Sequence, residues 1–180
     1  MPALTLDLPS QKSLVAQNLS RWAALVADPK LARLTERIET DRFGRIIMSP
    51  PPSAHHGSYQ FRIGVLLREN MDDGRVITEC PICTADGVKA ADVAWASAAR
   101  LEELGDKVCF PRAPEICVEV LSPSNTREEI LEKTALYFDA GALEVWICSA
   151  DGTILFHRVV GKGGTLHSEI CPSFPAKVTL

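Results

Sequence analysis

Three residues could do chemistry together: Asp92 in VKAADVAWAS, Glu119 in EICVEV and Lys133 in REEILEKTALYF. Two carboxylates offer hard oxygen ligands for Mg²⁺ or Mn²⁺, which lowers the pKa of a bound water and offsets charge growing on a phosphate. A lysine beside them can orient or activate that water. The combination is that of phosphodiester hydrolysis. Each residue also has an ordinary alternative: Asp92 as a solvated strand acid, Glu119 as a partner of Arg112 or Arg127, and Lys133 as an exposed helix residue.

For the three to meet, the chain must place two acids on strands and the lysine on the helix after the second strand. After the Asp86-Gly87 turn, Val88 to Ala96 alternates, so that Val88, Ala90, Asp92 and Ala94 share one face. Glu115 to Leu121 puts Ile116, Val118 and Val120 on one face and Glu115, Cys117 and Glu119 on the other. Ser122-Pro123-Ser124-Asn125 ends that strand, and Thr126 with Glu129 has the form of a capping box opening a helix that Gly141 closes. Ile130 and Tyr137 flank Lys133 at i−3 and i+4, so its side chain leaves from the edge of the buried stripe and can reach back to the sheet.

The rest supplies a frame. Ser13 to Leu34 carries apolar residues at helical spacing, interrupted at Asp28-Pro29, which predicts two short helices. A strand from Arg45 to Met48 runs into the loop Ser49-Pro50-Pro51-Pro52-Ser53. Ser58 is expected to cap the next helix, which ends near Met71 to Gly74, and a strand follows from Arg75 to Cys80. Ser97 caps a short helix, Ala98 to Leu104. Glu144 to Cys148 and Ile154 to Val160 read as strands joined across Asp151-Gly152, and the last twenty residues as a peripheral strand and tail.

Composition narrows the function class. A length of 180 residues suits one core rather than two. No apolar stretch approaches a membrane span, and the opening lacks a signal-peptide pattern, so a soluble, cytoplasmic protein is expected. The net charge of −4 argues against sequence-independent binding of nucleic acid, which rests on a basic footprint, unless Arg62, Arg68, Lys89, Arg112 and Arg127 converge as a local rim. Cys80-Pro81-Ile82-Cys83 has redox or half-zinc spacing, but Thr84 to Gly87 reads as a turn where a redox pair wants a helix. The six cysteines are therefore expected to be reduced and in the core.

The segments RIETDRFGRIIMSPPPSAHH, VKAADVAWAS and above all APEICVEVLSPSNTREEILEKTALYFDAGALEVWI resemble the Uma-type restriction endonucleases of the PD-D/E-x-K nuclease superfamily. The resemblance runs from about Arg37 to Arg158. It implies an α/β (α+β) fold: a restriction-endonuclease-like mixed β-sheet flanked by helices. With the helical pattern read above, the chain is expected to be a single domain overall, a helical segment over 1–36 packing on the core over 37–180. The resemblance further implies a DNA endonuclease dependent on Mg²⁺ or Mn²⁺. Asp92 and Glu119 would be the metal ligands, and the motif lysine would move from the strand, where Leu121 stands, to the helix as Lys133. Glu39 matches an auxiliary acid, and His56 a histidine that recurs after the proline loop. The family's Pro-Asp pair reads Ala91-Asp92 here, and its acidic stretch after the first acid is replaced by Asp41-Arg42-Phe43-Gly44-Arg45. A homodimer is expected, since cutting both strands of DNA commonly takes two copies. The rival readings are a non-catalytic binding module on the same fold, and a redox or zinc protein built on Cys80 and Cys83.

Overall fold

The computed structural model of the chain describes residues 10–123 and 125–180. The first helix, α1 (Gln11–Val26), starts at Ser10, whose side chain accepts the Ser13 N–H, and is followed after Asp28-Pro29 by a short 3₁₀ turn, Leu31–Arg33. Val15, Leu19 and Trp22 of α1 pack against buried Cys83, Val88 and Cys109. A small antiparallel hairpin comes next, β1 (Arg37–Thr40) and β2 (Ile46–Ser49). Its turn is tied by Asp41 Oδ1, which accepts the N–H groups of Phe43 and Arg45, each at 2.9 Å.

Helix α2 (Ala54–Asn70) begins directly after the prolines, capped by Ser53 rather than the expected Ser58. The proline run excludes helix only as far as Pro52, so the first free side-chain acceptor is Ser53. Ser58 lies one turn inside and donates its hydroxyl back to Ala54 O at 2.8 Å. The main sheet follows as β3 (Arg75–Thr84) and β4 (Gly87–Ala96), then, after helix α3 (Ala98–Leu104), β5 (Ile116–Val120). Helix α4 (Arg127–Asp139) leads to β6 (Glu144–Cys148) and β7 (Ile154–His157). Strand β3 runs four residues past Cys80, and Pro81 is tolerated because this strand forms the sheet's edge.

The strand order is β3-β4-β5-β6-β7, antiparallel except for the parallel pair β5/β6, which α4 connects. Both faces of the sheet are covered. On one, Tyr59, Ile63 and Leu67 of α2 pack on Val93, Ile116, Val118 and Trp146. On the other, Tyr137 and Ile130 of α4 pack on Cys117, Val145 and Ile147. The capping box at Thr126 and Glu129 is formed. The C-terminal stretch differs from expectation. It contributes isolated bridges, Phe156 to Thr165 and Thr153 to Lys177, rather than a strand, and it inserts Phe174 and Val178 into the α2-side core. Its proline and small polar residues break any period-two pattern, so burial comes from single anchors. Among the described residues, no helix is long and apolar enough to cross a membrane.

Candidate active site

The site forms where the sheet splits. Strands β4 and β5 pair at Trp95↔Ile116, Ala94↔Cys117 and Val93↔Val118, and the ladder then stops. The next two residues in register would be Asp92 and Glu119. Beyond the split, backbone groups of both strands need partners, and functional side chains supply them. Asp92 Oδ2 accepts the Val120 N–H at 2.6 Å. Glu39 Oε1 accepts the Ala90 N–H at 3.0 Å. The Ala90 carbonyl takes Lys133 Nζ at 3.3 Å and the Arg37 guanidinium.

The β1/β2 hairpin reaches this freed edge because Gly87, at φ 82°, lets the chain pass: a Cβ there would collide with the Thr40 and Asp41 carbonyls. Thr40 Oγ1 then accepts the Val88 N–H at 2.9 Å, which fixes β1 and brings Arg37 and Glu39 to the split. From the opposite face, α4 delivers Lys133, whose ammonium lies 3.0 Å from Glu39 Oε1 and 3.2 Å from Glu119 Oε2. Tyr137, one turn on, donates its hydroxyl to Glu119 Oε1 at 2.6 Å. Helix α2 delivers His56, with Nε2 3.3 Å from Asp92 Oδ2, and Gln60. Arg37, Glu39, His56, Asp92, Glu119 and Lys133 line one cleft of about 570 Å³, with the proline loop along its wall, and Gln60 and Tyr137 stand behind them.

The electrostatics follow from burial set against opposite charge. Burial opposes ionisation of Asp92, but His56, the Arg37 guanidinium and the Val120 N–H outweigh it and hold the carboxyl below its usual range. Glu39 behaves likewise through Lys133, the Ala90 N–H and Arg37. Glu119 goes the other way. Its enclosure pushes it up to about 7, against the pull of Lys133 and with help from the nearby Asp92 charge. Lys133 loses some basicity to burial and regains more from Glu119 and Glu39, so it stays charged. The hydrogen bond to Asp92 raises His56.

Every residue singled out in the sequence for this chemistry, Asp92, Glu119, Lys133, Glu39 and His56, lines the cleft. The basic rim does not form. Only Lys89 reaches the cleft, held by Asp86 at 2.8 Å, while Arg68 borders a separate groove between α2 and β3 and Arg112 pairs with Glu103. The structure adds Arg37, Glu79, Gln60 and Tyr137. Glu79 is the one non-glycine residue with positive φ, 49°, among those described, and it breaks the β3/β4 pairing opposite Asp92. Tyr137 carried a signal, its i+4 spacing from Lys133. Arg37 and Glu39 are two residues apart on β1 and so share one face, which turns both charges into the site.

The cysteine alternatives do not form. All six thiols are free and buried. Cys80 and Cys83 belong to different core clusters, and Cys83 Sγ lies 3.3 Å from Cys109 Sγ instead.

A family profile described as "Putative restriction endonuclease", Uma2, matches residues 18–175. The chain belongs to the Uma2 family. Among solved structures it is similar to "a putative nuclease belonging to DUF820 from Anabaena variabilis ATCC 29413", with a TM-score of 0.61, 21% sequence identity and 82% of each chain covered. No curated protein matches it in sequence. The Uma2 assignment makes the fold nuclease-like: a five-stranded mixed sheet flanked by helices.

Nucleases of restriction-endonuclease type generally work with a divalent metal, so the Uma2 cleft must be tested for one. Among the described residues, no three His, Cys, Asp or Glu side chains converge as a ready cage. Mg²⁺ needs less, because it keeps several waters and takes one or two carboxylates together with substrate phosphate. Asp92 and Glu119 are the pair that would hold it. A cation already stands among the acids, since the guanidinium of Arg37 lies 2.6 Å from Asp92 Oδ1 and is attracted by Glu119, Asp92, Glu79 and Glu39 together. The donor set therefore suits a divalent cation.

Proposed function

We propose that this Uma2 protein is a metal-dependent endonuclease acting on DNA. The observation that carries the reading is the split between β4 and β5, where Asp92, Glu119, Lys133 and Glu39 converge in one cleft. Mg²⁺ or Mn²⁺ held by Asp92 and Glu119 would supply an acidified water and charge neutralisation at phosphorus. Lys133 stands beside Glu119 as the cation that orients the attacking water and offsets charge on the phosphate. Glu39 holds Lys133 in place and pins β4 through the Ala90 N–H. Tyr137 fixes the rotamer of Glu119. The attack is in line, with a sugar oxygen leaving on the far side.

The family supports DNA as the substrate, and two copies of the chain would cut the two strands. Six unpaired thiols agree with a reducing, cytoplasmic setting. The chain reads as a helical segment over 1–36, of which 1–9 lie outside the described residues, joined to a nuclease domain over 37–180; the packing of Val15, Leu19 and Trp22 on Cys83, Val88 and Cys109 supports that reading.

Supercoiled plasmid tests the reading. Nicking or linearisation by the unaltered protein with Mn²⁺ or Mg²⁺ is expected, stopped by chelator and absent in Asp92→Ala and Glu119→Ala. Equal cutting by all three proteins would expose a contaminant. No cutting, together with no Mn²⁺ heat in calorimetry, would leave a non-catalytic binding module on a nuclease fold.

A further inference from the structure

We infer that Arg37 is a built-in cationic plug: its guanidinium and the divalent metal are alternative occupants of the Asp92 carboxylate, and metal binding moves Arg37 onto Glu79. This rests on the metal-dependent reading above and names how that site is controlled.

Four observations carry it. First, both oxygens of Asp92 already have a short donor, Arg37 Nη1 at 2.6 Å on Oδ1 and the Val120 N–H at 2.6 Å on Oδ2. The Val120 contact belongs to the backbone of β5 and cannot leave without unpairing the strand, whereas the Arg37 contact belongs to a side chain. Second, a guanidinium bonded to a carboxylate oxygen and a metal ion at about 2.1 Å from the same oxygen would be two cations about 4 Å apart in a buried site, and their repulsion favours one occupant at a time. Third, the contacts of Arg37 to Asp92 and to the Ala90 carbonyl are made by a side chain, and Lys133 also serves that carbonyl. Arg37 Nε is buried with no aligned hydrogen bond, although Glu79 Oε2 lies only 3.1 Å away, so the present pose leaves a donor that rotation toward Glu79 would satisfy. Fourth, the receiving acid is prepared. Glu79 is held at 2.5 Å by Gln60 Nε2, its side chain is 45% exposed where it lines the cleft, and its backbone adopts a positive φ of 49° that a non-glycine residue takes only at a conformational cost.

The arrangement explains how Asp92, Glu119, Glu39 and Glu79 can gather around one guanidinium in a chain that is acidic overall. Without metal, Arg37 compensates Asp92 and Glu119 and lets the site fold. With metal, the freed guanidinium sits at the mouth, where a phosphate backbone would arrive.

The test is Mn²⁺ affinity by calorimetry for wild type, Arg37→Met, Glu79→Gln and Asp92→Asn. Arg37→Met is expected to bind Mn²⁺ at least tenfold more tightly than wild type, Glu79→Gln several-fold more weakly, and Asp92→Asn not measurably. If Arg37 merely positions Asp92, Arg37→Met binds equally or more weakly while Asp92→Asn still abolishes binding; the plug is then overturned and the metal reading survives. If wild type and Arg37→Met both fail to bind, the two readings fall together. Should Arg37→Met not fold without metal, the Arg37 Nε–H resonance of wild type, assigned by its loss in Arg37→Lys, gives the same answer. It shifts on adding diamagnetic Mg²⁺ if Arg37 changes partner, and stays put if it does not.

Discussion

Two buried glutamates on neighbouring strands divide structure from function. Glu144 opens β6 at the level of Ile116, the amino end of the parallel β5/β6 pair. It is fully buried, and neutral donors saturate it: Trp146 Nε1 at 2.7 Å, Ser168 Oγ at 2.6 Å, and the N–H groups of Glu169 and Ile170 at 2.8 and 3.2 Å. Glu119 lies near the carboxyl end of β5, on the opposite face, and its partners are Lys133 and Tyr137 beside a cleft. Ligands of sheets with parallel strands gather beyond the carboxyl ends, where strands diverge and leave room. An acid closed by fixed dipoles ties the C-terminal segment to the sheet. An acid balanced against movable cations keeps its oxygens exchangeable, and only such an acid can take a new partner during a reaction.

The comparison breaks first at Glu144. Glu144→Gln replaces an acceptor-only group by an amide whose NH₂ faces donors, stranding at least one buried N–H or hydroxyl. A loss of about 3 kcal/mol is expected, which for a domain of this length lowers Tm by roughly 6–12 °C. Cleavage per folded molecule should persist. A Tm within 2 °C of wild type would mean that the four donors find water and that Glu144 is no anchor.

Glu119→Gln should do the reverse, abolishing cleavage while sparing the fold. Its pH dependence carries a sign. Burial raises Glu119 from the usual 4.5 to about 7, so the unfolded chain releases this proton first and wild type loses stability as pH rises between those values. The glutamine variant lacks that loss. In chelator, its stability relative to wild type should therefore improve from pH 5 to pH 8, read from denaturant midpoints. A gap that is flat or moves the other way would show that Lys133 keeps Glu119 ionised throughout.

Much of this was open to inspection in the sequence, and the reasons differ by residue. Glu119 sits in a strand whose alternation is unbroken, so its strand type and face follow from period two. For Asp92 only the strand type follows, because β4 switches face there: Ala91 packs with Ala94 and Ala96 on the α4 side while Val93 and Trp95 face α2. Lys133 follows from a capping box that fixes the helix register, and the box does form. What could not be seen is what depends on the strands parting. Nothing in VKAADVAWAS marks the end of its pairing with β5, and therefore nothing says that Ala90 will need Glu39, Arg37 and Lys133 as backbone partners. Arg37 and Glu79 were hidden for a related reason: one lies on a two-strand hairpin docked by tertiary contact, the other at a kink no local residue pattern announces. The expected C-terminal strand failed because its apolar residues are spaced as single anchors, Cys171, Phe174 and Val178.

Tyr137 offers the smallest and sharpest cut. It is fully buried, and its hydroxyl meets Glu119 Oε1 at 2.6 Å. Tyr137→Phe keeps the ring and removes that one donor, so packing on Cys117 survives and the fold should lose only about 1 kcal/mol, or roughly 2–4 °C in Tm. The effect on the site is directional. The hydroxyl lowers the Glu119 pKa, so without it the carboxylate becomes harder to ionise and its rotamer less defined. Mn²⁺ affinity should fall by about tenfold, as for other groups that orient a metal ligand, and the acidic limb of the cleavage profile should move to higher pH. The matching change beside Glu144, Ser168→Ala, removes a 2.6 Å donor from a buried acid in the same way and should lower Tm without moving the pH profile. If both variants shift the profile, or neither does, the distinction between the two acids is lost.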